Sequence, residues 1–296
     1  MKKFKYLTLA ISSIALIGCG GNDTKPPEAP PTPTFSSFNN VAPNQSLLLG
    51  AITDDTEATL SFGQVVSGIF NRDIDANAEV TITISNLGTI EEIALKDVNR
   101  ELSFDATGVG FPLDSGAGAS LYGIDHDIWE HDYQTFGYWV TEYTGIGAET
   151  IEIGVISAGL KTPFASIPTS NTALFEGYYV GVLSDAGTPF EVIGYADLSV
   201  NFSSKLVTLD GWGASIYDVD TFEEVIDTTL TDSLELLGTL RYTNSNAYSG
   251  DIQNLDGLMT GEATGAFYGP NAEETGGVLR LSNDRIMLTA SFGAKR

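Results

Sequence analysis

Cysteine occurs once and histidine twice in this 296-residue chain. A single cysteine excludes an internal disulfide, so the fold must stand on burial and backbone pairing. With so few Cys and His, a structural zinc site with its usual four ligands is not expected, and no metal site is assigned. Basic residues are scarce: 14 Lys and Arg against 39 Asp and Glu give a formal charge of −25. Phosphate backbones and anionic headgroups repel such a chain, which argues against nucleic acid as a partner. Stretches with helical periodicity are missing from Phe35 onward. Enzyme signatures are missing too: there is no Gly-x-Ser-x-Gly elbow, no Walker loop and no His-Glu-x-x-His. The chain is therefore read as a non-enzyme.

What is present begins at the N-terminus. Lys2, Lys3 and Lys5 precede an apolar run from Tyr6 to Ile17. That run is shorter than the ~20 residues a spanning helix needs and has the size of a signal-peptide core. It ends in Leu16-Ile17-Gly18-Cys19, which resembles a bacterial lipobox. The resemblance implies cleavage after residue 18 and lipidation of Cys19. Gly20 and Gly21 follow, without the Asp that in known lipoproteins signals inner-membrane retention, so the expected address is the outer membrane. Residues 19–34 then hold a cluster of prolines between Pro26 and Pro33, a semi-rigid polyproline II tether.

The remainder reads as all-β. Glu79 to Ile84 alternates, and Thr150 to Ile156 alternates again. Val109 to Gly123 and Asp54 to Ala58 read as loop. After Leu160 the pattern becomes regular: Ala173–Leu183, Phe190–Phe202, Leu206–Ser215, Leu234–Tyr242, Ala247–Ile252, Met259–Phe267, Val278–Leu281 and Ile286–Phe292 are strand candidates. Eight antiparallel strands suit a small closed β-barrel. In Tyr195 to Phe202, Ala196, Leu198, Val200 and Phe202 share one face while Asp197, Ser199 and Asn201 share the other. That pattern favours a packed interior and a wet exterior over a lipid-facing barrel. The 32 glycines are read as turn punctuation.

Several segments, in order, resemble the transferrin-binding protein B family of surface lipoproteins. Thr162-Pro163-Phe164-Ala165-Ser166-Ile167-Pro168-Thr169-Ser170 leads into Ala173-Leu174-Phe175-Glu176-Gly177-Tyr178, similar to the start of that family's barrel. Ala196 to Phe202 is similar to its second strand. Gly265-Ala266-Phe267-Tyr268-Gly269-Pro270-Asn271-Ala272-Glu273-Glu274-Thr275-Gly276-Gly277-Val278 is similar to its most recognisable turn, and Tyr133 to Trp139 to a strand ahead of the barrel. The similarity covers roughly the C-terminal half, and the chain has length for a single lobe. It implies a handle-like β domain over residues 35–161 and an eight-stranded barrel over 162–296. It also implies a cell-surface lipoprotein that captures an extracellular ligand for uptake. The ligand would be an iron carrier, haem or another protein. Partners would be an outer-membrane receptor and a surface-lipoprotein translocator. The alternative is a structural or adhesive surface lipoprotein without a nutrient ligand.

Chemistry candidates are few. His126, Trp129 and His131 lie in one short acidic stretch with Asp125, Asp127, Glu130 and Asp132. Neutral imidazoles there would suit haem as a ligand, with no resident cofactor expected; the bland alternative is an acidic surface loop. In the final turn, Gly265, Gly269, Gly276 and Gly277 give backbone freedom, Pro270 fixes φ and Phe267 points inward, so that turn is read as shape rather than site. Asp73 to Asn77 opens like a calcium loop, but Ala78 and Ile84 occupy the positions that need Gly and Glu. It is read as solvated loop, as are Asp218 and Asp220.

Overall fold

The computed structural model describes residues 35, 37, 41–42, 44–61, 64–70, 74–85, 90–96, 101–105, 113–114, 119–122, 131–141, 149–219 and 221–296. The expected signal peptide, Cys19, the proline tether, His126 and Trp129 lie outside these residues.

Nine strands form the N-terminal sheet: β1 (Ser46–Ser61), β2 (Gln64–Phe70), β3 (Asp75–Ile84), β4 (Ile90–Lys96), β5 (Glu101–Asp105), β6 (Leu113–Asp114), β7 (Ala119–Tyr122), β8 (Gln134–Thr141) and β9 (Glu149–Gly159). They pair in the order β2-β1-β3-β4-β5-β6-β7-β8-β9, and β9 pairs again with β1, so the sheet curls round on itself. Strand β3 shows why these residues make a sheet: Ala78, Val80 and Ile82 are buried while Thr81 and Thr83 face the wetter side. With Leu49, Ile93, Phe104, Trp139 and Ile156 they fill the concave side.

Four segments expected as loop are strand in whole or in part, Asp218 among them as the last residue of β12. Residues 54–58 lie inside β1, because its backbone pairs with β9 from Gly50 to Leu60 whatever the side chains are. Asp54 and Asp55 are buried there rather than solvated. Residues 109–123 contain β6 and β7, short strands that join β5 to β8. Asp75 to Asn77, also read as loop, opens β3, with the Asp75 carboxylate accepting the Asn77 N–H at 2.8 Å.

The C-terminal part is a closed antiparallel barrel of eight strands. These are β10 (Thr172–Asp185), β11 (Thr188–Asn201), β12 (Leu206–Asp218), β13 (Leu236–Arg241), β14 (Tyr248–Asn254), β15 (Thr260–Tyr268), β16 (Glu274–Ser282) and β17 (Ile286–Lys295), with one short helix, α1 (Thr228–Asp232), between β12 and β13. Strand β17 closes onto β10 from Ile286–Asp185 to Lys295–Glu176. The interior is packed with apolar side chains, among them Phe175, Tyr179, Leu198, Val207, Leu240, Phe267 and Phe292. Ala196, Leu198, Val200 and Phe202 are all buried, as their alternation requires. Strands β16 and β17 are buried on both faces, because the sheet lies against their outer side. Ile52, Phe136, Tyr138, Ile153 and Val155 of the sheet meet Val180, Val182, Ala266, Tyr268 and Val278 of the barrel in a third core.

Candidate functional site

The two ends of the barrel differ in chemistry. The end formed by the β11–β12, β13–β14 and β15–β16 connections is tied to the sheet. There the buried Glu274 carboxylate accepts the N–H groups of Asp132 (2.5 Å) and Tyr133 (3.0 Å). Burial outweighs those donors and pushes its pKa up to about 7. Gln134 Nε2 donates to the carbonyls of Thr275 (2.8 Å) and Ala294 (3.2 Å). Ser291 Oγ donates to Gly137 O at 2.8 Å. Lys161, largely buried, donates from Nζ to Ala51 O and Ala76 O, and burial lowers its pKa. These bonds satisfy polar groups that the interface removes from water, which fixes strand β8 against β16 and β17.

The turn singled out in the sequence belongs to this tied end. Gly265 and Phe267 lie in β15 and Gly276 and Gly277 in β16, with Gly265 opposite Gly277. Only Gly269 among the four glycines takes a positive φ, at 85° next to Pro270. Gly277 permits close approach: a Cβ there would stand 2.1 Å from Thr264 O. Phe267 is the hub of an aromatic cluster with Phe175, Phe202, Tyr242 and Tyr248. Glu273 accepts the Asn271 N–H (2.7 Å) and Nδ2 (2.9 Å) and closes the turn on itself.

His131 sits at the same junction. It is 2% exposed and packs edge-on against Phe136 at 5.6 Å between ring centroids. Among the described residues, no group of three or more His, Cys, Asp or Glu is placed to hold a metal ion.

The opposite end carries four exposed apolar side chains. Phe222 and Ile226 stand on the β12–β13 connection, and Leu255 and Leu258 on the β14–β15 turn. They are 59%, 90%, 58% and 70% exposed. The two connections are bonded together: Leu255 N donates to Glu235 O at 2.7 Å and Asn254 Nδ2 to Ser233 O at 3.2 Å. The β12–β13 connection also has two internal clamps. Asp218, the last residue of β12, accepts the N–H (2.9 Å) and hydroxyl (3.0 Å) of Thr221. Asp227 caps α1 by accepting Leu230 N–H at 3.1 Å. Phe222 is held at φ 57°, an uncommon conformation for an aromatic residue. That conformation closes a tight turn, in which Phe222 N–H donates to Asp218 O at 2.9 Å and Asp218 N–H to Glu223 O at 3.0 Å. At the same end of the barrel, Arg285 clasps Asp185 with two bonds at 2.5 and 2.7 Å, fastening the β16–β17 turn to β10. Sequence reasoning missed all four apolar residues. The available signal was their isolation among turn residues, as in Thr221-Phe222-Glu223-Glu224 and Leu255-Asp256-Gly257-Leu258.

Comparison with known proteins bears on the barrel first. Residues 167–296 match the family model of the C-lobe and N-lobe β-barrels of transferrin-binding protein B. Transferrin-binding protein B of Moraxella catarrhalis is 25% identical over 271 residues, 82% of this chain and 36% of that protein. The Haemophilus influenzae protein of the same name is 28% identical over 142 residues, 44% of this chain and 22% of that protein. The chain thus spans about a third or less of the length of these relatives. Among solved structures, a mutant transferrin-binding protein B from Haemophilus parasuis has a TM-score of 0.48 at 16% identity, over 82% of this chain and 45% of that one. A protein described as a surface lipoprotein has a TM-score of 0.44 at 14% identity, over 83% of this chain and 98% of that one.

Proposed function

From a chain whose barrel is transferrin-binding protein B-like, we propose a non-catalytic binding protein that captures an extracellular ligand on the apolar barrel rim. In this reading Cys19 anchors it by lipid to the outer membrane, and a translocator displays it at the cell surface. The rim then hands its ligand to an outer-membrane receptor for uptake. The carrying observation is the set of four exposed apolar side chains on two mutually bonded connections, at the barrel end away from the sheet. Apolar tips on a braced scaffold suit a protein ligand, since rigid loops lose little entropy on binding. An iron carrier is the ligand class that the relatives' name suggests; haem, through His126 and His131, is the other.

The test is direct binding of the full chain to iron-loaded transferrin, with haem titrated in parallel. Saturable transferrin binding that weakens at least tenfold in Ile226→Asp and Leu258→Asp, with unchanged melting, is expected. Binding unaffected by both changes would remove the rim. A Soret shift lost in His126→Ala or His131→Ala would move the site to the sheet. Saturable binding of neither ligand would sink the iron-acquisition reading.

A further inference from the structure

The outer wall of the barrel over β10, β11 and β12 carries two parallel rows of side chains, which start at Tyr178 beside the junction core and run away from it. The first is aromatic. Tyr178, Tyr195 and Trp212 are cross-strand neighbours on β10, β11 and β12. Tyr178 and Tyr195 lie 5.3 Å apart between ring centroids, and Tyr195 stacks on Trp212 at 4.4 Å and 20°. The second row is one outward position along: Glu176, Asp197 and Asp210 are directly opposed on the same three strands. Tyr195 and Trp212 are 42% and 45% exposed.

Cross-strand ring pairs stabilise a sheet, but the acidic row is not explained by stability. Like charges set directly opposite one another destabilise a sheet. Only Lys295, opposite Glu176, continues the acidic row with a cation. Glu176 and Asp210 hold no hydrogen bond or ion pair with another described residue. Asp197 is different: it accepts the indole N–H of Trp212 at 3.0 Å and so sets the ring's orientation. A bulge adds to this. Gly213, at φ 62°, and Ala214 together oppose Gly194, which shifts the inward-outward alternation of β12 by one. The shift brings Trp212 level with Tyr195 and still leaves Ile216 inside. Bulges commonly re-aim a side chain in this way at the cost of ladder pairing. The acidic row then runs on to Leu237, opposite Asp210, beside a shallow depression also lined by Thr239, Asp251, Gln253 and Thr260.

We propose that this wall docks an extended, arginine-bearing segment of a partner protein, a site separate from the rim. The charge and shape choose that occupant. A guanidinium stacks on an aromatic face and pairs with a carboxylate at once, which a lipid headgroup or a nucleic acid does not do on an acidic wall. Stacked on one another, the rings leave the far face of Trp212 as the terminal face, two residues along the strand from the Asp210 carboxylate. Among the described residues no aromatic ring packs on that face.

The test uses the full chain and a fluorescein-labelled peptide of six arginines separated by glycines, followed by polarisation at 150 mM salt. At about that ionic strength diffuse attraction is screened beyond ~8 Å. Trp212→Ala removes the terminal ring and keeps the charges. Asp197→Asn with Asp210→Asn removes charges and keeps the rings. Glu91→Gln with Glu101→Gln removes equal charge from the sheet. The proposal expects saturable binding that weakens at least tenfold in the first two variants and less than twofold in the third. No saturable binding overturns it. So does wild-type binding by Trp212→Ala, or an equal loss in the sheet control, since either would mean attraction to acidity in general. Asp210→Asn alone, at an exposed carboxylate without a described partner, keeps the test open if Trp212→Ala misfolds.

Discussion

Several glycines of this chain lie under aromatic rings. Trp139 lies over Gly154, its direct cross-strand partner, so closely that a Cβ there would stand 2.0 Å from the indole. Tyr179 covers Gly194 and Tyr248 covers Gly265 in the same directly paired way, each with a Cβ clearance of 2.4 Å. The missing side chain is the space the ring fills, which is why these strands tolerate a residue that weakens strands elsewhere. Tyr248 also gains a buried hydrogen bond, from its hydroxyl to Thr275 Oγ1 at 2.6 Å. An added methyl at either glycine must push a packed ring off its rotamer. Gly154→Ala and Gly265→Ala are therefore expected to cost about 1–3 kcal/mol each, the usual range for overpacking. Gly265→Ala falls at the upper end because it also strains the Tyr248 bond. Chemical denaturation reads this directly, and a loss below about 0.5 kcal/mol would show that the rings move aside freely.

At the scale of the element, β12 depends on its bulge. Gly213 holds a φ of 62° and a Cβ there would meet the Tyr195 ring at 3.1 Å. Gly213→Ala is expected to lose about 1 kcal/mol or more and to change the fluorescence of Trp212, whose stack the bulge aligns. Unchanged emission would mean that the ring's place does not depend on the bulge. The same feature marks where sequence reading ends. Alternation in Ala196 to Phe202 revealed β11 because one face is wet and one dry. Strand β16 was legible only from Val278 to Leu281: Thr275-Gly276-Gly277 is buried on both faces, so no alternation is left to read. The buried Asp54 and Asp55 hid the middle of β1, since acidic residues in a row look like a loop until Arg280 is placed beside them. Gly154, Gly194 and Gly265, read as turn punctuation, sit inside strands, because pairing with a ring on the next strand is a non-local fact. The rim escaped notice for a similar reason: Phe222, Ile226, Leu255 and Leu258 converge only once hairpins far apart in sequence share one end of the barrel.

The whole molecule is held together by buried acids as well as by its apolar interface. Arg280 bridges sheet and barrel, contacting Asp54 of β1 at 3.2 Å and Glu262 of β15. Burial nonetheless pushes the Asp54 pKa up to about 7 against the lowering effect of Arg280, and Glu274 is likewise raised to about 7. The unfolded chain would titrate the same groups near 3.8 and 4.5. Between those values and pH 7, the folded protein binds protons that the unfolded chain has released. Stability from these two groups is therefore fully present at low pH, is lost as pH rises through about 7, and is flat above that. A shift of one unit corresponds to about 1.4 kcal/mol, so the pair together contributes on the order of a few kcal/mol across the window. Acidification also relieves the repulsion of a chain with net charge −25, which would act in the same direction. The variants separate the two effects. Asp54→Asn and Glu274→Gln each change the net charge by a single unit, so general repulsion barely moves. Melting followed from pH 5 to pH 8 is expected to show the wild type losing stability toward neutrality and the double variant losing much less. An equal slope in both proteins would assign the pH dependence to overall charge and leave the junction acids without a part in it.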